Sequence, residues 1–120
     1  MATEKSFDLE ALRRGIEQRD PEAMLSLYAD SAEVTEVDKS NPPSAPRVFR
    51  GKEAIGEHLR EVCARDMTHR LERPVLADDR LAFTEACRYP DGTEVLAMAT
   101  ADLDGAGKIA RQVAVTAWDE

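Results

Sequence analysis

Between Met67 and Trp118 the chain reads as four strands separated by turns: Met67 to Ala77, Leu81 to Tyr89, Thr93 to Leu103 and Lys108 to Trp118. The separators Asp78-Asp79, Asp91-Gly92 and Asp104-Gly105-Ala106-Gly107 carry hairpin turn chemistry, with glycine supplying the positive φ. Such a run makes a four-stranded antiparallel meander. What precedes it therefore decides the fold class.

The first half is mostly helical. Leu9, Leu12 and Ile16 recur at helical spacing after Ser6 or Asp8, either of which can cap a first helix that ends near Arg19. Asp20-Pro21-Glu22 then supplies a cap, a proline at the first helical position and an acid in the first turn, and Met24, Leu25, Leu27 and Tyr28 continue a short second helix. From Ala32 to Asp38 the pattern alternates, so Ala32, Val34, Glu36 and Asp38 share one strand face. The segment 38–46 holds three of the six prolines and reads as a surface loop able to act as a rim or lid. Arg47-Val48-Phe49-Arg50 is a short strand, and Gly51 opens a third helix with Ala54/Ile55, His58/Leu59 and Val62/Cys63 on one side. His58 falls at the border of that stripe and is expected to be a surface or boundary residue. The expectation is one α+β domain over residues 1–120, with no internal repeat.

Charge limits the partners. Sixteen Lys+Arg against 24 Asp+Glu give a formal net charge of −8, which disfavours nucleic acid and anionic membrane surfaces. No apolar run approaches the roughly 18 residues of a membrane helix, and Met1 to Lys5 lacks a signal-peptide pattern, so a soluble cytoplasmic protein is expected. Cys63 and Cys87 have no CxxC spacing and read as reduced, packed thiols. Asp102-Leu103-Asp104-Gly105 looks like a calcium-loop fragment, but no glutamate follows at the twelfth position. With no GxSxG, HExxH, Walker or dinucleotide fingerprint, neither a metal nor a cofactor is expected. Aromatics are only 5% of the chain, which leaves the core to aliphatics and alanine.

The succession Asp20-Pro21-Glu22-Ala23, Leu27-Tyr28-Ala29-Asp30-Ser31-Ala32, Phe49-Arg50-Gly51-Lys52-Glu53-Ala54-Ile55 and Leu103-Asp104-Gly105-Ala106-Gly107-Lys108-Ile109 resembles the nuclear transport factor 2-like superfamily. Within it, the chain looks like the SnoaL-like and ketosteroid isomerase branch, from about Leu9 to Trp118. The resemblance implies a cone-shaped α+β barrel, with three N-terminal helices packed on a curved, mostly antiparallel sheet around a hydrophobic cavity, usually in a homodimer. It also implies that Glu36 stands where the isomerases keep their general base. The isomerases' oxyanion tyrosine position is Leu12 here and their protonated aspartic acid position is Ala99. Two of three groups are absent, which argues against a ketosteroid isomerase of the usual mechanism. A pocket-facing histidine recurs in SnoaL-like and dehydratase relatives at the position of His69.

Strand pairing adds candidates. A three-residue loop after Ala77 places Arg73 opposite Glu85 and His69 opposite Tyr89, on the face of Leu71, Val75, Phe83 and Cys87. A two-residue loop instead pairs His69 with Arg88 and sets Glu72 against Glu85, and that like-charge pair favours the first register. In the last two strands one face shows Val95, Ala97, Ala99, Ala101, Ala110, Gln112, Ala114, Thr116 and Trp118, and the other Leu96, Met98, Thr100, Ile109, Val113 and Val115. Apolarity alone points the second face at the core. The resemblance points the first face, with Ala99, Gln112 and Thr116, into the cavity and leaves Leu96, Met98, Val113 and Val115 for a dimer interface.

Two functions remain open. One is a cofactor-independent isomerase, cyclase or dehydratase type of enzyme acting on a small apolar carbonyl compound, with Glu36 as base and His69 as acid or polariser. Tyr28, Arg73, Glu85, Tyr89, Ala99, Gln112, Thr116 and Trp118 would then shape the ligand site. The other is a non-catalytic, homodimeric ligand-binding or association domain.

Overall fold

The computed structural model describes residues 6–119. Asp8 caps the first helix, α1 (Leu9–Glu17), accepting from the Ala11 N–H at 3.0 Å. Asp20 caps α2 (Pro21–Leu25) in the same way through Ala23. The second helix is shorter than its sequence suggests. Tyr28 does not extend it but opens β1 (Tyr28–Val37), because the Leu27 carbonyl accepts from Ile109 N–H and Tyr28 pairs with Ile109 in the sheet. After the proline-rich loop come β2 (Arg47–Arg50) and α3 (Gly51–Cys63), joined without a linker by Gly51 at φ 84°. A helix entered that sharply from a strand requires the left-handed backbone that glycine adopts freely.

The meander follows as β3 (Thr68–Leu76), β4 (Arg80–Arg88), β5 (Glu94–Leu103) and β6 (Ile109–Trp118). The sheet is larger than the meander. Its order is β2-β1-β6-β5-β4-β3, with β1 parallel to β6 and every other pair antiparallel, and it is curved without closing. The helices cover one face: α1 lies against β3, α3 against β1 and β2, and α2 joins α1 to α3. Leu12, Ile16, Val34, Ile55, Leu81 and Ile109 form the centre of the core between the layers.

The β3–β4 register matches neither expectation. The turn is the two-residue one, with Ala77 N–H donating to the Arg80 carbonyl and Leu76 opposite Leu81. A bulge between Glu72 and Val75 then shifts the pairing by one residue, so that His69 faces Cys87, Leu71 faces Glu85 and Glu72 faces Thr84. Pro74 supplies the break, since it has no N–H for the ladder, and Arg73 before it adopts φ 52°. The bulge avoids the Glu72–Glu85 clash of a regular two-residue hairpin while keeping His69, Leu71, Phe83, Glu85 and Cys87 on one face. It also puts Arg73 and Val75 in solvent, against the expectation for both.

On β5 and β6 the alanine-rich face turns inward. Ala97 pairs with Thr116, Ala99 with Ala114 and Ala101 with Gln112, while Leu96, Met98, Val113 and Val115 are exposed. A bulge between Asp102 and Leu103 reverses one detail of the sequence reading. Ile109 is fully buried opposite Leu103, and Ala110 sits at the irregularity.

Candidate functional site

Alanines on the inner sheet face leave room that larger side chains would fill. Between that face and the helices lies a cavity of about 220 Å³, mostly apolar, lined from the helices by Leu12, Ile16, Met24, Ile55 and Leu59 and from the sheet by Val34, Phe83, Val95, Ala97 and Ala99. Its size is below the roughly 300–1,000 Å³ of pockets that enclose drug-sized ligands, which suits a small occupant.

Three polar constellations break the apolar lining. The first is Tyr28, whose hydroxyl donates to Oε1 of Gln112 at 3.1 Å, both side chains buried. Burial pushes the Tyr28 phenol far above its ordinary value, the Gln112 bond opposes this, and the negative charges of Glu85 and Glu36 add to it. The hydroxyl therefore remains a neutral donor at any physiological pH.

The second constellation sits where β1, β2 and α3 meet. Glu36 Oε2 lies 2.9 Å from His58 Nε2, and a carboxylate can only accept, so the proton of this bond is on the imidazole. Phe49 stacks on the His58 ring at 4.2 Å and Arg47 lies 5.0 Å over the Phe49 ring, so the histidine is clamped between strand and helix. His58 Nδ1 is buried and makes no hydrogen bond among the described residues; the nearest carboxylate, Glu61, is 4.0 Å away. His58 is thus no boundary residue. Its place in the stripe with Ala54, Ile55, Leu59 and Val62 was the signal for its burial. At the rim, Asp38 accepts from Ser40 and Asn41, and the Asn41 side chain first among these holds its carboxyl below the usual carboxylate range. That carboxylate is committed to the turn that starts the proline-rich loop.

The third constellation is His69, Glu85 and Cys87 on neighbouring strands. His69 Nδ1 is 3.1 Å from Cys87 Sγ, and the thiol donates to Glu85 Oε2 at 3.4 Å. Burial first, and then the Glu85 charge, push the Cys87 thiol far above its ordinary value. This sulfur is a protonated, hydrogen-bonding group and no nucleophile.

Of the residues singled out from sequence, Tyr28, Glu36, His69, Glu85, Ala99, Gln112, Thr116 and Trp118 all line this one cavity. Arg73 and Tyr89 do not. Arg73 is displaced by the bulge, and Tyr89 lies beyond the end of β4, stacked on Trp118 at 5.9 Å and packed with Met67, Cys87 and Val95. Glu36 and His69 are not hydrogen-bonded to each other; each has a partner of its own, His58 for Glu36 and the Cys87–Glu85 pair for His69. Sequence reasoning missed His58, Arg47 and Phe49 as parts of the site and took Cys87 for packing alone.

No curated protein matches the chain. Solved structures do, at low identity. A nuclear transport factor 2-like protein of unknown function from Mesorhizobium loti is 19% identical, with 90% of this chain and 88% of that one covered and a TM-score of 0.75. The epoxide hydrolase/cyclase-like enzyme SalBIII, of pyran ring formation in the polyether salinomycin, is 18% identical over 92% and 88% of the two chains, TM-score 0.67. A Mycobacterium tuberculosis protein in complex with estradiol-17β-hemisuccinate is 23% identical over 88% and 87%, TM-score 0.66. Ketosteroid isomerase-like proteins are among the other neighbours. These likenesses establish the nuclear transport factor 2-like fold. The model of the SnoaL-like domain matches residues 9–112, nearly the whole span of helices and sheet, and the chain belongs to the SnoaL-like domain family.

Proposed function

We propose that the cavity binds a small, mostly apolar carbonyl compound and moves a proton on it, in an isomerase, cyclase or dehydratase type of reaction, with Glu36 as base and His69 as acid or polariser. The observation that carries this reading is that Glu36 and His69 line one cavity whose remaining lining is largely apolar. His58 holds the Glu36 carboxylate in place, and His69 keeps one ring nitrogen without a partner among the described residues. Tyr28, kept neutral by burial and by the charges of Glu36 and Glu85, spends its one proton on Gln112 and so fixes that side chain, which with Thr116 can orient a ligand oxygen. The reaction read this way is cofactor-independent. The estradiol-hemisuccinate complex and the cyclase-like SalBIII support a ligand and a reaction of these kinds on this fold.

One observation favours a second reading. Leu12 and Ala99, at the positions where the isomerases carry their oxyanion donors, are apolar cavity-lining side chains, so a dienolate formed there would lack that stabilisation. On that ground the chain is a non-catalytic, homodimeric ligand-binding or association domain. On both readings it is no ketosteroid isomerase of the usual mechanism, and it pairs with a second copy through the outer sheet face. Among the described residues no helix is long and apolar enough to cross a membrane. The two free cysteines and the net charge of −8 fit a cytoplasmic protein without polyanion partners.

A thermal-shift screen against small apolar carbonyl compounds tests the pocket, because a ligand present at 100 times its Kd stabilises by about 2.7 kcal/mol. No response across a broad panel would count against the enzyme and the ligand-binding domain alike and leave only an association domain. For any turnover found, Glu36→Gln is expected to cost at least about 100-fold in rate, in line with positioned proton transfer. A near-unchanged rate would remove Glu36 from the chemistry and leave the binding-domain reading.

A further inference from the structure

The third constellation brings three metal-binding atoms together. His69 comes from β3, Glu85 and Cys87 from β4, and the register that sets His69 against Cys87 and Leu71 against Glu85 holds them on rigid ladder positions. Nδ1 of His69 lies 3.1 Å from Sγ of Cys87 and 3.5 Å from Oε2 of Glu85, and Sγ lies 3.4 Å from the same oxygen. Around a tetrahedral zinc ion, bonds of about 2.0–2.3 Å put neighbouring N, O and S ligands roughly 3.4–3.6 Å apart, so the triangle already stands within about half an ångström of that geometry.

Hydrogen bonding satisfies these groups poorly. The thiol has one proton, and its donation to Glu85 makes the sulfur an acceptor for His69 Nδ1–H. The other ring nitrogen, Nε2, is then a bare acceptor, and it has no partner among the described residues although only 5% of the His69 side chain is exposed. A divalent cation resolves each point. It replaces the thiol proton, thiolate and carboxylate together balance its charge inside a buried site, and Nδ1 becomes a ligand. Nε2 then carries the ring's N–H, available to an occupant of the cavity.

We propose that His69, Glu85 and Cys87 form a binding site for one zinc-type divalent cation. Three protein ligands leave a fourth position for water or for an oxygen of a cavity ligand, the arrangement of catalytic rather than structural zinc sites. No local spacing announces the site in the sequence, because its ligands come from two strands brought into register by the bulge at Arg73-Pro74.

The test uses the full chain, stripped with a chelator and reloaded with Co²⁺ or Zn²⁺. After desalting it is expected to retain one ion per chain, and the Co²⁺ form to show a thiolate-to-cobalt charge-transfer band. Cys87→Ser should abolish the band, Cys63→Ser should leave it, and Glu85→Gln or His69→Ala should weaken metal affinity by at least about tenfold. Should Cys87→Ser fail to fold, the affinity of Glu85→Gln carries the same test. Metal lost on desalting, a band that survives Cys87→Ser or follows Cys63, or an affinity unmoved by Glu85→Gln overturns the assignment and leaves a hydrogen-bonded triad. Ligand-induced stabilisation in the metal-free chain would leave the proposed function standing, so the two fail separately.

Discussion

His69 lies directly opposite Cys87 across the β3–β4 ladder, and the two side chains meet at 3.1 Å inside the cavity. Neither hairpin loop alone produces that pairing. It needs the two-residue Asp78-Asp79 turn and, a few residues on, the extra residue at Arg73-Pro74 that shifts the ladder by one. With that two-residue turn, a regular hairpin would pair His69 with Arg88 and turn it toward the outer face, so the position of a candidate site residue depends on one irregular dipeptide.

Arg73 holds φ 52° in solvent, where the left-handed region costs a non-glycine residue roughly 1–2 kcal/mol. Arg73→Gly is therefore expected to raise stability by up to about 1 kcal/mol, since glycine also gains freedom in the unfolded chain. Arg73→Val, β-branched at the same φ, should lower it by about 1 kcal/mol or more. Chemical denaturation of the three proteins measures both differences. An order of Val above Gly would mean that the bulge does not impose this backbone.

Tyr28 and Gln112 satisfy each other in a buried place where no other side-chain hydrogen bond reaches Tyr28 among the described residues. Tyr28→Phe strands the Gln112 carbonyl oxygen and is expected to cost about 1–2 kcal/mol, while Tyr28→Phe with Gln112→Leu should recover part of that. The phenol also links stability to pH. Its folded value is raised above the ordinary 10.0, so the folded chain keeps a proton that the unfolded chain loses. Stability from this group is complete below pH 10.0 and falls as pH rises further. Urea unfolding above that pH should show a steeper loss in the wild type than in Tyr28→Phe, and equal slopes would contradict the shift.

Much of this architecture is legible in the sequence, and the exceptions share a cause. Capping by Asp8 and Asp20, the helix stripes, the short Arg47–Arg50 strand and the hairpin turns are local signals, and local hydrogen bonding decides them. Tyr28, the Ile109/Ala110 exchange and the β3–β4 register depend on pairing with distant strands, which periodicity cannot see. The orientation of the last hairpin is instructive in another way. Apolarity alone would bury Met98 and Val115, yet the small residues face inward because they border a cavity. At the site, the family resemblance pointed to Glu36 and His69, but not to their partners. His58 and Glu36 are brought together by the packing of α3 on β1, and His69 and Cys87 by a bulge.

The Glu36–His58 bond is more sheltered than a surface ion pair, with side-chain exposures of 22% and 10%. Glu36→Gln and His58→Ala are each expected to cost about 1–2 kcal/mol, with a coupling of at least about 0.5 kcal/mol in a double-mutant cycle. Phe49→Leu, which removes the stacked ring but neither partner, should weaken that coupling. Additive single effects would show that the two groups stabilise the fold independently, and His58 would then have no hold on the carboxylate.

The outer sheet face tests the assembly. Met98 is 61% exposed and Val115 52%, paired directly across β5 and β6, with Leu96 and Val113 beside them. A contiguous apolar patch on a sheet is costly in water and is the surface by which a second copy would be held. Val113→Glu puts a charge into that patch at a side chain already partly in solvent, so it should leave the unfolding free energy of an isolated chain within about 0.5 kcal/mol of its own value. Sedimentation equilibrium is expected to show a dimer for the wild type and a monomer for the variant. A variant that remains dimeric places the interface on another surface, and a wild type that sediments as a monomer removes the homodimer from both functional readings.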